Sequence, residues 1–258
     1  MILSFNKVNR MDEAKIRSIL WWICLLVAPL VLISIELYHP AGFTHEPGAY
    51  QYLHKPQPYQ PQFAALGYFG PPWWFALHMI QTPMVALVAV GLWLLAKMVR
   101  PSDGAGALVF AWLSRIETFV FLIYYTALDA IGGFGLARTI TITEQFAASS
   151  PYDPNHLTPE QLDGVIKVIN ATWTDRWVGG VGSFISMTGS WAVFFAALSL
   201  AIALFIAKKA PWPALIILIA FGWELQESHT MPHGPIAFSL LIVATQWIWW
   251  SSRKRAAA

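Results

Sequence analysis

Histidine and carboxylate side chains occur together near the ends of several apolar segments, where they could bind a metal ion. Glu36 and His39 close the first apolar segment, three residues apart, and His78 lies early in the second. Ionisable side chains at membrane depth are costly unless they are paired, hydrated or bound to a ligand, so they indicate functional sites. Imidazole and carboxylate groups bind iron, copper, zinc or manganese. We therefore predict a transition-metal site with these ligands: Glu36, His39, His78, Glu227, His229 and His233.

The densest group of such residues follows the fifth apolar segment. Glu224 and Glu227 are three residues apart and would share a helix face. Pro232 separates His229 from His233 and favours a turn over a regular helix. A hydrated polar turn would also explain the two histidines, but it explains Glu224 less well because that acid lies nearly one turn deeper. This cluster is the strongest candidate for a site.

Two carboxylates are candidates for proton transfer. Asp129 closes the third apolar segment and Glu224 lies near the end of the fifth. Either would act as general base or would hydrogen-bond to a metal ligand. Arg115 and Glu117 lie deeper in the third segment, and at a spacing of two residues they cannot face each other on a helix. For Arg115 we expect a role in helix packing, and for Glu117 a proton relay remains open.

The composition is that of a protein that crosses a membrane several times. Hydrophobic residues make up 57% of the chain and charged residues 12%, against about 25% charged residues in ordinary soluble domains. A transmembrane helix needs about 20 mostly apolar residues. We predict an all-α integral membrane protein with a single domain, 1–258, and about six transmembrane helices, at about 18–38, 73–98, 106–130, 183–207, 212–228 and 234–250. Because the last two segments are short, five or seven spans remain alternatives.

The placement of lysine and arginine predicts the orientation. Eleven of the 16 basic residues flank one set of segment ends, which the positive-inside rule assigns to the cytoplasm. Both termini would then be cytoplasmic, in the plasma (inner) membrane, and the histidines would lie on the extracytoplasmic side. The net charge of +2 comes from these flanks and does not indicate nucleic-acid binding. Membrane lipids are the expected surroundings.

Two long extracytoplasmic loops are predicted, at about 39–72 and 131–182. The prolines of the first exclude a long helix. In the second, Thr158 and Pro159 indicate the N-cap and first turn of an amphipathic helix, whose apolar face includes Val165, Ile169 and Trp173. Such a helix would lie along the membrane surface, and ordered loops of this kind often cover a site.

Three functions remain open on the sequence alone. The density of ligand-type residues favours a metal-dependent membrane enzyme, an oxidoreductase or hydrolase that acts on an apolar or lipid-like small molecule. The second is a haem-binding electron-transfer subunit, in which two histidines such as His39 and His78 hold the iron. The third is a transporter, with Arg115, Glu117 and Glu224 along its pathway, or an accessory protein that packs against partner membrane subunits.

The predicted orientation can be tested with single cysteines in a Cys24→Ala background, since Cys24 is the only cysteine. We expect a membrane-impermeant maleimide to label Asp153→Cys in intact cells, and Lys209→Cys only after lysis, because the two positions lie on opposite sides. The reverse pattern would show that the histidines face the cytoplasm.

Overall fold

The structure, a computed structural model, describes residues 13, 15–39, 48–54, 57–58 and 68–257. All the residues predicted as metal ligands or catalytic groups fall within these ranges. Most of the predicted loop 39–72, including His45 and Glu46, lies outside them.

The described chain is helical apart from short connections. Two residue pairs form an antiparallel ladder between β1 (Gln57–Pro58) and β2 (Tyr68–Phe69). A π-helical segment covers Asp129–Gly135. The helices, numbered in chain order, are α1 (Lys15–Glu36), α2 (Ala49–Leu53), α3 (Pro71–Ala96), α4 (Ala105–Leu128), α5 (Leu136–Ala148), α6 (Pro159–Trp173), α7 (Phe184–Ile206), α8 (Trp212–Glu227) and α9 (His233–Ala257).

Four helical stretches are long and apolar enough to cross a membrane, namely α1, α3, Ala105–Ala148 and α7. The protein is therefore a helical bundle of the kind found in membranes. The fifth and sixth predicted spans are also helices, but α8 has only 16 residues and α9 includes the polar Thr245 and Gln246. Six crossings, the orientation and the plasma-membrane location remain predictions.

The six long helices pack into a closed ring. α4 lies along α7, α8 contacts α7 and α9, α9 contacts α1, and α3 lies between α1 and α4. Leucine and alanine side chains dominate the buried core, which also includes Phe121, Phe221 and Phe238. One end of the ring carries the last residues of α1, α4 and α8 and the first residues of α3, α7 and α9. We call it the histidine end.

The helix of the third predicted span does not end near residue 130, and residues 131–148 are helical instead of forming part of a loop. The helix continues through the π-helical segment into α5. At Gly133 the backbone angles leave the helical region (φ −90°, ψ −107°), which produces a kink. Asp129 was predicted to close this segment, but the aliphatic residues that follow give the chain an apolar face to bury, and the helix resumes.

The predicted amphipathic helix is confirmed as α6. The Thr158 hydroxyl accepts a hydrogen bond from the Gln161 backbone N–H at 3.3 Å, and the Gln161 side chain accepts one from the Thr158 N–H at 2.9 Å. This capping box satisfies two backbone donors that would otherwise lack partners. Ile169 is buried, with Val165 and Trp173 beside it, against α5 and α2. α6 therefore lies over the histidine end.

The contact between α7 and α8 predicts a specific loss of stability. A Cβ atom on Gly222 would lie 2.7 Å from the Ala197 Cβ and 3.1 Å from the Phe194 Cα. We expect Gly222→Ala to reduce the free energy of unfolding by about 1–3 kcal/mol relative to Gly106→Ala, because the added methyl group overpacks this contact. On Gly106 the nearest atom to a Cβ would be 3.9 Å away.

Gly222 lies in the interior of α8 and Gly106 in the first turn of α4, so helix propensity favours Gly222→Ala at least as much as Gly106→Ala and cannot explain a lower stability of the former. The measurement is reversible unfolding in mixed micelles, followed by circular dichroism. Equal stability of the two variants would contradict the close packing of α7 against α8.

Candidate functional site

A cavity of about 160 Å³ lies at the histidine end, between α3, the π-helical segment and the turn that joins α8 to α9. Parts of the chain that are far apart in sequence meet here. The polar and aromatic side chains in its lining are those of His39, Trp74, His78, Asp129, Trp173, Ser228, His229 and Thr230. We call it the histidine cavity.

Three histidine rings gather in this cavity. The centre of the His39 ring is 5.4 Å from that of His78 and 4.9 Å from that of His229, in edge-to-face arrangements. His39 and His78 are each 3% exposed. His229 lies in the turn between α8 and α9, and burial lowers its pKa to about 4. Its imidazole is therefore neutral near pH 7 and keeps a lone pair for a metal ion or a proton.

The orientation of His78 is fixed by the backbone around it. Its Nδ1 lies 2.8 Å from the carbonyl oxygen of Trp74, one helical turn earlier. Because a carbonyl oxygen only accepts, Nδ1 carries the proton and Nε2 has the lone pair. A Cβ atom on Gly133 would lie 2.5 Å from ring carbons of His78. Only glycine therefore fits at position 133, where the π-helical segment crosses α3.

A buried polar network lies one turn further along α3. The Gln81 side-chain amide donates to Glu36 Oε1 at 2.7 Å and to the Tyr125 hydroxyl. Glu36 and Gln81 are fully buried. Among the described residues, Glu36 Oε2 and Gln81 Oε1 have no hydrogen-bond partner. Buried polar atoms without a hydrogen-bond partner are rare, and they indicate a place for a water molecule, a proton or a ligand.

Asp129 is buried in the wall of the histidine cavity. The Thr82 hydroxyl lies 2.8 Å from Asp129 Oδ2 and 2.9 Å from the carbonyl oxygen of His78. A hydroxyl has one proton, so both hydrogen bonds form together only when Asp129 is protonated and donates to Thr82. When Asp129 is ionised, the Thr82 proton can turn to it instead. Thr82 therefore solvates either protonation state of the carboxyl group.

Three of the residues predicted for the site lie elsewhere. Glu224 Oε2 and His233 Nδ1 are 2.8 Å apart, and these side chains are 27% and 42% exposed. Glu227 is exposed on the last turn of α8. None of the three belongs to the described lining of the histidine cavity. The structure thus gathers His39, His78, His229 and Asp129 in the cavity, with Glu36 in the adjoining network, and separates Glu224, Glu227 and His233 from them.

The predicted metal site is not formed by the side chains as they stand. In the part of the chain that the structure describes, no three His, Cys, Asp or Glu side chains are arranged to hold a metal ion. The sequence placed ligand types at one end of the bundle, but ring orientation depends on contacts between helices. Sequence reasoning also missed Gln81 and Thr82, although their i+3 and i+4 spacing from His78 puts them on the same helix face.

The two deep charged residues of α4 have separate surroundings. Arg115 donates to the carbonyl oxygen of Ala96 at 3.0 Å and lies over the rings of Trp93 and Trp112. Glu117 lies near Ser199 on α7, and its Oε2 has no hydrogen-bond partner among the described residues. Arg115 therefore joins α4 to the end of α3 that is opposite the histidine end.

Comparison of the chain with protein-family models, curated proteins and solved structures finds no match. Its function is therefore inferred from the side chains themselves.

Removal of the central amide of the polar network should destabilise the protein. We expect Gln81→Leu to lower the free energy of unfolding by about 1–3 kcal/mol, because Glu36 Oε1 and the Tyr125 hydroxyl lose a buried donor. Gln246→Leu is the matched control, since the buried amide atoms of Gln246 have no hydrogen-bond partner in the described residues. That variant should be as stable as the wild type or more stable. Equal effects of the two substitutions in reversible unfolding would contradict the network.

Proposed function

We propose that the protein is a metal-dependent membrane enzyme, with His39, His78 and His229 as metal ligands and Asp129 as general base. The spacing of the His39 ring from the rings of His78 and His229 is the observation that carries the proposal. With a zinc–nitrogen bond of ~2.0–2.1 Å, two imidazole ligands at a tetrahedral angle have ring centres about 5 Å apart. The centre of the His39 ring is 4.9 Å from that of His229 and 5.4 Å from that of His78. Since Trp74 fixes the orientation of His78, the rings of His39 and His229 would have to turn toward His78 Nε2 for one ion to be bound by all three.

The surroundings of two of the rings support this assignment. Histidine ligands in metal sites usually donate their second ring N–H to a carboxylate or a backbone carbonyl, and His78 makes such a bond to Trp74. The low pKa of His229 supplies the neutral imidazole that metal binding requires. Three histidine ligands leave a fourth position open for water or substrate, as in catalytic rather than structural zinc sites.

Hydrolysis is the reaction that these side chains fit best. A metal ion in an open three-histidine site polarises a carbonyl group and makes its bound water acidic. Asp129 would accept a proton from the attacking water, and the Thr82 hydroxyl would stabilise the carboxyl group before and after the transfer. The indoles of Trp74 and Trp173 make two walls of the cavity apolar. This suits a lipid-like substrate that reaches the site from an extracytoplasmic membrane surface.

The other two functions have less support. Axial histidines approach a haem iron from opposite faces of the porphyrin, so a slot for the macrocycle must separate them. His39 and His78 contact each other edge to face instead. A transport pathway would have to connect Arg115, Glu117 and Glu224, whose described contacts involve separate parts of the bundle.

Metal analysis of purified variants tests the proposal. We expect protein purified without chelator to hold about one transition-metal ion, and His78→Ala and His229→Ala to lose most of it, because each removes a ligand. His233→Ala should retain the metal, since His233 pairs with Glu224 outside the cavity. The measurement is elemental mass spectrometry, with an absorption spectrum to detect haem.

A monodisperse gel-filtration profile of each variant must accompany the metal content, so that lost metal is distinguished from lost fold. Wild-type protein without metal, and unable to take up Zn²⁺ on dialysis, would refute the metal site. A Soret band in place of a free metal ion would favour the haem alternative.

A further inference from the structure

A second, larger cavity adjoins the first. It has a volume of about 270 Å³ and lies between the π-helical segment, α5 and α6. None of the residues described in its lining is charged, and the only hydroxyl groups are those of Thr139 and Thr172. We call it the aliphatic chamber, after the side chains that dominate its walls: Ile131, Leu136, Val168, Ile169 and Val178.

Trp173 forms a wall common to both cavities. Trp173 and Gly132 line the aliphatic chamber and the histidine cavity alike. The indole fits in a slot between two glycines, because a Cβ atom on Gly132 would lie 3.1 Å from its ring and one on Gly180 would collide with it. The aliphatic chamber and the cavity that holds the histidines are therefore neighbours across one side chain.

Exposed aliphatic side chains border both cavities. Val168 of the chamber is 65% exposed and Val181 of the histidine cavity is 63% exposed, with Ile131 and Val178 also on the surface. His78 lies about 28 Å along α3 from Lys97, at a rise of ~1.5 Å per residue, which matches a hydrocarbon core of ~30 Å. The two cavities are thus at the level of a membrane surface, where these side chains can contact lipid.

We infer that the aliphatic chamber binds the hydrocarbon chain of a single-chain amphiphile, a fatty ester or amide, whose carbonyl group lies in the histidine cavity. The identity of the reacting group depends on the proposed function; the binding of the chain does not. Together the cavities fall within the ~300–1,000 Å³ typical of ligand sites, near its lower limit. This size fits one chain rather than two.

The hydrolysis of such a substrate balances without a further reactant. The oxygen of water bonds to the carbonyl carbon, and the bond from that carbon to the ester oxygen or amide nitrogen breaks. One proton of the water passes by way of Asp129 to the departing alcohol or amine. The fatty acid remains, and its chain lies in the chamber.

A photoreactive palmitic acid with a diazirine in the middle of its chain tests this inference on the full-length protein in nanodiscs. We expect cross-links to peptides of α5 and α6, and competition by unlabelled palmitic acid. Thr172→Trp, which fills the chamber, should weaken this labelling about tenfold, the equivalent of roughly two methylene groups excluded from an apolar site.

Ala171→Trp is the matched control, because it adds the same side chain to the neighbouring exposed position, outside the described lining of the chamber. It should leave the labelling unchanged. Equal labelling of the two variants, or labelling that unlabelled palmitic acid does not reduce, would overturn the inference.

The same experiment on His78→Ala separates the two proposals. Labelling of α5 and α6 should persist in this variant, because the chamber does not include His78. If wild-type protein holds no metal but is labelled in the chamber, the proposed chemistry fails and chain binding stands. If metal is present and the labelling is not saturable, the proposed chemistry stands and chain binding in the chamber fails.

Discussion

The close crossing of the π-helical segment over α3 is the contact on which the functional end of this protein depends. Trp74 donates from its indole N–H to the carbonyl oxygen of Gly132 at 2.9 Å, and the ring of His78 occupies the space where a side chain on Gly133 would be. The second contact requires glycine, because any Cβ at Gly133 would displace the histidine. The crossing sets the position of Asp129, the direction of α5 and, through Trp173, the wall between the two cavities.

The polar groups near this crossing are retained at a cost. Burial of a carboxyl group without a partner is unfavourable by several kcal/mol in a low-dielectric interior, so such groups persist in proteins mainly where they are used. Gln81 offsets part of that cost for Glu36, and Thr82 does so for Asp129. Glu36 Oε2 and Gln81 Oε1 have no partner among the described residues beside the histidine cavity, and buried atoms of Ser114, Glu117 and Gln246 have none elsewhere in the ring.

The two cavities together offer the polar and the apolar surfaces that an amphiphile would contact. The histidine cavity offers nitrogen and oxygen atoms, and the aliphatic chamber offers carbon surface without charge. α6 supplies a wall of the chamber through Ile169 and Val168, and its capping box at Thr158 sets where the helix starts. The sequence predicted that α6 would cover a site, and in the structure α6 forms a wall of the aliphatic chamber, which adjoins the histidine cavity.

Much of the architecture follows from the sequence alone, because hydrophobic length and helical periodicity are local properties. The six apolar segments, the N-cap at Thr158, the apolar face of α6 and the gathering of histidines near one set of segment ends are all of this kind. The helical kink at Gly133 was missed, because a polar residue followed by glycine ordinarily ends a helix, and the burial of the aliphatic residues beyond it depends on tertiary contacts. The sequence identified only part of the candidate site, because the contacts between helices that complete it are not local properties. Spacing along one helix relates Gln81 to His78, but it cannot tell whether His229 or His233 turns inward across a turn that contains proline. That choice, with the exclusion of Glu224 and Glu227, was decided by the tertiary structure, since distances between side chains on different helices depend on how closely the backbones pack.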